Sequence, residues 1–370
     1  MNTSKTSSYG RLVAFFIVAV TLVCVLGFVA SGWQTDDPSG SADAPTPEDA
    51  PTGDLSDNGA DNTTDTAPDT EVPPVYINRL TGLETDEAEA MRRPVAFVTD
   101  PTAPAYGIAE APLMIEVPTE GGRTRLITFS TNISMLGKIG SLCSSRGYIT
   151  NLVKYFNSIA IYYGNDDSVN YTSCDNSALS FDLSENSGYH YTEYTEFLYT
   201  NGDLAKAGLV NSEISTTTTE EFDLPYTFAE DDTRLKFEDA ANSTTLAYSA
   251  TDAVTFSYSG ESGKYTMSRN GEIKKDLLTD KTVCFDNLFI LFVDSITYES
   301  AESAETVMQT LGSGIGYYVT GGTRVSITWC ATEDGRMTFC TEDGTKLSVN
   351  TGNSYIGIVK SSMISSVIFS

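Results

Sequence analysis

The 370-residue chain has room for one large or two ordinary domains and carries a formal net charge of −28. Eleven acids and no lysine or arginine fall in residues 34–75; setting these and the N-terminal Lys5 and Arg11 aside leaves −19 on residues 76–370. So acidic a body repels nucleic acid and anionic headgroups, which excludes a nucleic-acid partner and leaves neutral, cationic or locally recognised ones.

Residues 12–30, LVAFFIVAVTLVCVLGFVA, are apolar without interruption, and about 20 such residues span a bilayer core. Lys5 and Arg11 precede them and Asp36 and Asp37 follow. A transmembrane helix is therefore expected, with the N-terminus in the cytoplasm and the body outside. Two other readings stand beside it. Val29-Ala30-Ser31 fits signal-peptide cleavage, and Cys24 offers a thiol for lipid attachment. All three put the body outside the cytoplasm. Residues 34–75 hold seven of the thirteen prolines among Asp, Thr, Ser and Gly, so they cannot build a core and are expected to be a disordered, self-repelling linker.

The body begins near Tyr76. PVAFVTD (94–100) reads as a buried strand ending in Asp100. PLMIEVPT and RTRLITFS read as two strands joined across Glu120-Gly121-Gly122. GYITNLVKYFNSI (147–159) has helical spacing at Ile149, Leu152, Val153, Phe156 and Ile159, and AIYYG (160–164) returns as a strand. Beyond residue 222 the chain turns to short β-runs separated by Gly321-Gly322, Asp334-Gly335, Asp343-Gly344 and Thr351-Gly352. One helix is expected over 300–312, and GSGIG (312–316) reads as a turn. The prediction is an α+β fold. A mixed-sheet domain with a packed helix (76–222) is followed by an antiparallel, β-rich domain (223–370). Both stand behind the membrane segment (1–33) and the linker (34–75).

Five cysteines lie in the body and none forms a C-x-x-C pair, so no metal site is expected from them. Cys330 and Cys340 flank a hairpin turn and are the candidate disulfide; buried thiols are the alternative. His190 is the single histidine, with Glu193 and Glu196 nearby; a Ser-His-Asp site would need it too, and no G-x-S-x-G elbow exists. No cofactor motif is present.

Several motifs resemble, in order, the YerB-like family of bacterial extracytoplasmic lipoproteins, built from paired domains of unknown function. INRLTGL (77–83) is similar to its Asn-Pro-Leu-Thr-Gly opening, and RRPVAFVTD (92–100) to its Arg-Arg-Pro-Val-Ala segment. Glu116, Pro118, Glu120, Gly121, Gly122, Thr124 and Arg125 match its Glu-x-Pro-x-Glu-Gly-Gly-x-Thr-Arg. IGSLCSSRGY (139–148) looks like its Ile-Gly-Pro-x-Arg-Ser-x-Arg-Pro-Tyr, with Cys143 in place of the first arginine and Arg146 retained. The resemblance spans about residues 77–360. It implies an envelope location and this two-part architecture, and no established activity.

IEVPTEGGRTRL (115–126) carries the densest set of charges. A two-residue Gly121-Gly122 turn would set Glu120 opposite Arg123, Pro118 opposite Arg125 and Glu116 opposite Ile127. Glu116, Glu120, Arg123 and Arg125 would then share an ionic face, either a solvated rim or the floor of a ligand site. Glu116 and Glu120, about 13 Å apart on one strand, are too distant to form a glycosidase acid pair; Asp100 is the candidate partner. Ser144 or Ser145 fits the N-cap of the following helix, and Arg146 in its first turn adds a cation. The candidate ligand-binding residues are thus Asp100, Glu116, Glu120, Arg125 and Arg146. The expected function is a membrane-tethered envelope protein that binds a glycan, peptide or protein partner. The alternative is an extracytoplasmic hydrolase or transferase using the same residues.

Overall fold

A computed structural model describes residues 74–164, 179–193, 196–218, 222–229, 234–299 and 304–370. The apolar segment 12–30, Cys24, Cys174 and the linker through residue 73 lie outside the described residues. Among the described residues no helix is long and apolar enough to cross a membrane.

The principal elements in chain order begin with β1 (Val95–Thr99), β2 (Leu113–Pro118), β3 (Thr124–Ser130) and β4 (Ile139–Leu142). Helix α1 (Gly147–Lys154), β5 (Ile159–Tyr162) and α2 (Gly202–Asn211) complete the first half. The second half is built from strands: β6 (Ser243–Ser249), β7 (Asp252–Ser259), β8 (Lys264–Arg269), β9 (Asn287–Val293), β10 (Ser295–Glu299) and β11 (Ala304–Met308). It continues with β12 (Gly312–Thr320), β13 (Thr323–Ala331), β14 (Met337–Cys340), β15 (Ser354–Lys360) and β16 (Val367–Phe369). The chain is mostly β with few helices, in mixed and antiparallel sheets.

One sheet of fourteen strands runs through both halves of the described chain. Its path is Asp239–Ala240, β13, β12, β9, β15, β2, β3, β1, β4, Leu198–Thr200 and Tyr191–Thr192, with β14 beside β13, β5 beside β1, and Ser180–Asp182 beside β5. The joint is β15, which lies parallel to both β9 and β2. The division expected at residues 222/223 is therefore no break in the sheet. The late strand is inserted between an early strand and a middle one, so neither half closes its own sheet.

Strand β9, NLFILFV, is buried along its length and apolar after Asn287, as a strand covered on both faces must be; Asn287 meets its burial by donating to the Asn350 carbonyl at 2.8 Å and accepting the Tyr318 hydroxyl at 2.7 Å. Its alternate residues serve two cores. Phe289, Leu291 and Val293 join Ile115, Val117, Ile127 and Phe129 under α1, whose Tyr148, Ile149, Leu152 and Val153 close that face. Leu288, Ile290 and Phe292 join Met114, Leu126 and Tyr355 against a second, six-stranded sheet. That sheet carries β8, β7, β6 and β16 in order. Helix α2, capped by Asn201 accepting from the Leu204 amide at 2.8 Å, packs Ala205 and Leu209 on a third cluster with Val95, Phe97, Ile159 and Ile161.

Three local expectations are corrected. Residues 304–308 form β11, paired with β10 from Ser295↔Met308 to Glu299↔Ala304, and not a helix. GSGIG opens β12 and is not a turn; a Cβ at Gly314 would meet the Trp329 indole at 2.7 Å and one at Gly316 the Ile290 carbonyl at 2.3 Å. These glycines admit a neighbour's atoms within a strand. Cys330 and Cys340 are thiols. Cys330 lies opposite Thr338 and Cys340 opposite Thr328, a diagonal relation that holds Cα atoms about 7–8 Å apart, beyond disulfide reach.

Because the sheet is shared, the full-length protein is expected to unfold in one calorimetric transition, and residues 76–222 expressed alone should lack fixed tertiary packing. Two well-separated transitions, or a cooperatively folded 76–222 fragment, would contradict this.

Candidate functional site

The hairpin of β2 and β3 is one residue out of the expected register. The Thr119 amide donates to the Arg123 carbonyl at 2.8 Å, which leaves a three-residue loop, Glu120–Gly122. Both glycines there adopt positive φ, 66° and 71°, conformations that glycine takes without a Cβ clash. The pairs are Pro118↔Thr124, Val117↔Arg125 and Glu116↔Leu126. A one-residue slip moves a strand's side chains to the other face relative to its partner. The physical gain is clear at Ile127 and Phe129. The two-residue turn would have placed both on the ionic face, whereas the longer loop sends them into the α1-side core.

The charges of the hairpin are divided as a result. Glu116 points toward the second sheet and is fully enclosed. Its Oε1 accepts the Thr124 hydroxyl at 2.6 Å and Arg269 Nη1 at 2.9 Å, and its Oε2 accepts the Tyr355 hydroxyl at 2.8 Å. Arg269 also donates to Asp252 and, at 3.2 Å, to Thr124. Tyr248 lies 3.2 Å from Tyr355, hydroxyl to hydroxyl. Burial, then the Glu116 charge, pushes both phenols well above the ordinary tyrosine value, so they remain donors. Burial alone would lower Arg269, but Glu116 and Asp252 outweigh it and raise it. Glu116 is a saturated interior anion that no ligand reaches, so it leaves the set of candidate contacts.

Arg125, on the opposite face, is half-buried. It donates to the Ser144 carbonyl at 3.2 Å, to the Thr124 carbonyl at 3.4 Å and to the Ser144 hydroxyl at 3.5 Å, and forms no ion pair among the described residues. Arg146 donates to the same hydroxyl at 3.1 Å and grips both oxygens of Glu120, at 3.2 and 3.0 Å. Two guanidiniums thus converge on Ser144. Neither expected serine caps α1: its N-cap is Arg146, with no side-chain capping bond.

Asp100, just past β1, accepts the Thr102 amide at 2.9 Å and hydroxyl at 2.6 Å, both on Oδ1. Burial would raise its carboxyl, but the Thr102 hydrogen bonds and then the Arg125 and Arg269 charges hold it below the ordinary aspartate value. Lys274 donates to the Pro101 carbonyl at 2.8 Å. Burial, then Arg269, lowers it. Cys143 packs against the α1-side core, and burial pushes its thiol up to about 12 against the opposing Arg125 charge.

The structure therefore brings Asp100, Glu120, Arg125 and Arg146 to one rim and sets Glu116 behind the sheet. Sequence reasoning missed Arg269, Asp252, Tyr248, Tyr355, Ser144 as a shared acceptor, and Lys274. The signal for Arg269 is present in KYTMSR, where Tyr265, Met267 and Arg269 alternate onto the buried face. An arginine at the end of an apolar stripe calls for an interior carboxylate. Elsewhere, the His190 ring meets Tyr163 edge to face at 5.0 Å, and Glu193 pairs with Lys138 at 2.7 Å. Among the described residues no group of three or more His, Cys, Asp or Glu is placed to hold a metal. A cavity of about 500 Å³ lined by Ser180, Asp182, Asn186 and Glu213, among others, includes none of the candidates.

Comparison with known proteins gives a consistent set of likenesses. Residues 80–215 match the family model described as a protein of unknown function (DUF3048), N-terminal domain, and residues 244–356 match its C-terminal domain. The chain is 27% identical over 232 residues to "Putative lipoprotein YerB" of Bacillus subtilis (strain 168), covering 57% of this chain and 66% of that protein, just under two thirds of its length. The crystal structure of YerB from Bacillus subtilis superposes with a TM-score of 0.68 at 22% identity, covering 80% of this chain and 99% of that one. That last likeness is one of fold.

Two outcomes are expected. Glu116→Gln should cost about 1–3 kcal/mol in urea denaturation, because it removes one of the two carboxylates that pair with buried Arg269, while Arg125→Gln should stay within about 0.5 kcal/mol; equal effects would contradict the division of roles. Cys143, with its thiol near 12, should resist iodoacetamide at pH 8 in the native state, since the thiolate is the nucleophile; rapid native-state alkylation would show that the site is open and the thiol acidic.

Proposed function

Since the chain belongs to the DUF3048 family, whose members are described as proteins of unknown function, we propose that it is a membrane-tethered extracytoplasmic binding protein recognising an anionic group on an envelope glycan, peptide or protein partner. The contact surface is the rim of Asp100, Glu120, Arg125 and Arg146, with Ser144 between the arginines. One observation carries the reading: Arg125 is a half-buried cation without an ion-pair partner among the described residues of a strongly acidic chain. Buried charges are ordinarily paired. A carboxylate or phosphate at Arg125, within reach of Arg146, would complete it through charge-assisted hydrogen bonds.

The envelope location is supported by the apolar stretch 12–30 with its preceding positive charges and by similarity to a protein whose name calls it a lipoprotein. Retention of the apolar stretch, its cleavage, or lipid attachment at Cys24 would each tether or release the body on the outer side. A hydrolase or transferase is less well supported. Glu116 is sealed and Glu120 is held by Arg146, so neither candidate carboxylate is available to work with Asp100.

The test is retention. Immobilised full-length protein should hold back carboxylate- or phosphate-bearing fragments from an envelope digest, scored by mass spectrometry. Arg125→Gln should weaken that retention by about 10- to 100-fold, the size of one charged hydrogen bond. An unchanged retained set would remove the basis for this function.

A further inference from the structure

Asp100 and Arg125 are neighbours that do not close on each other. The antiparallel ladder of β1 and β3 ends at Thr99↔Leu126, and Asp100 and Arg125 are the next residues past that last pair, with the Asp100 amide turned to the Ser141 carbonyl at 3.0 Å. Opposite charges so placed are expected to pair. Instead Asp100 turns Oδ1 to Thr102 and Arg125 turns to Ser144. The arginine's charge still lowers the Asp100 carboxyl. Of the other cations around Asp100, Arg269 is paired with Glu116 and Asp252, and Lys274 donates to the Pro101 carbonyl. Two unlike charges thus stand side by side, each held by its own neighbours, with Asp100 Oδ2 lacking a protein donor among the described residues.

That pattern discriminates between ligands. A bare anion at Arg125 gains the guanidinium but meets the ionised Asp100 next to it, which weakens its binding. A ligand that brings its own cation beside its anion is not. We propose that the Asp100–Arg125 pair of neighbours, with Ser144 and Arg146 beside it, binds a free α-amino-carboxylate, a single carbon bearing both ammonium and carboxylate, as in a free amino acid or in a peptide side chain that itself ends in an amino-acid group. The carboxylate takes the Arg125 guanidinium and the ammonium takes Asp100 Oδ2. Both contacts are charge-assisted. This rests on the reading of Arg125 as a recognition cation and names the chemistry it recognises.

The experiment compares three probes by calorimetry on full-length protein in detergent: alanine, N-acetylalanine, which keeps the carboxylate alone, and alaninamide, which keeps the ammonium alone. Alanine should bind at least about tenfold more tightly than either, one charged contact being worth that much. Asp100→Asn, which preserves the acceptor for Thr102, should abolish the preference for alanine over N-acetylalanine. Arg125→Gln should weaken both carboxylate probes, and thermal melts of the variants should match the parent. If N-acetylalanine binds as tightly as alanine and still depends on Arg125, the zwitterion is overturned while the anion-binding function stands. If none of the probes binds, the inference also falls, and retention of envelope fragments through Arg125 is then decided by its own assay.

Discussion

The fold is organised around one buried carboxylate. Glu116 interrupts an otherwise apolar strand at the centre of the large sheet, and its charge must be met inside the protein. Thr124 supplies a donor from the neighbouring strand, Arg269 from the second sheet and Tyr355 from the late strand inserted between β9 and β2. Those partners lie 8, 153 and 239 residues away. Satisfying one acid therefore fixes the hairpin register, the docking of the two sheets and the position of β15 together. Such a network contributes less through its own net strength than through the cost of every arrangement that leaves a member unpaired.

The same constraint separates structure from recognition. With Glu116 committed inward, Arg125 falls on the other face and forms no ion pair among the described residues. Glu120, in the loop, reaches Arg146 instead. The ionic hairpin is consequently two sites, back to back across one sheet. The inner site is saturated and holds the fold. The outer one retains an arginine and an aspartate whose bonding capacity is incomplete, on a protein expected to stand in an envelope rich in peptide and glycan termini.

Much of this was legible in the residues. Periodicity located β1, α1, β5 and the existence of the β2–β3 hairpin, because each has a local pattern that tertiary packing reinforces. What was hidden depends on pairing at long range. The loop length turned on where Ile127 and Phe129 could be buried, which requires knowing that α1 covers that face. Residues 304–308 pair with 295–299, and a strand partner overrides the helical composition of the segment. Gly314 and Gly316 look like turn residues until Trp329 and the Ile290 carbonyl occupy the space a Cβ would fill. Parallel insertion of β15 leaves no local mark at all. The charged positions were recognised, yet their division between core and rim follows from register, and register was the least visible property of the hairpin.

The central claim is that Arg125 is the working arginine of this hairpin and Arg269 its structural one. The direct measurement is a titration of alanine into full-length protein followed through the arginine side-chain Nε–Hε resonances by NMR. The account predicts that the Arg125 resonance shifts with saturable dependence on the probe, the Arg146 resonance with it, while Arg269 stays unmoved behind the sheet. A saturable shift at Arg269 with Arg125 unperturbed would contradict the account.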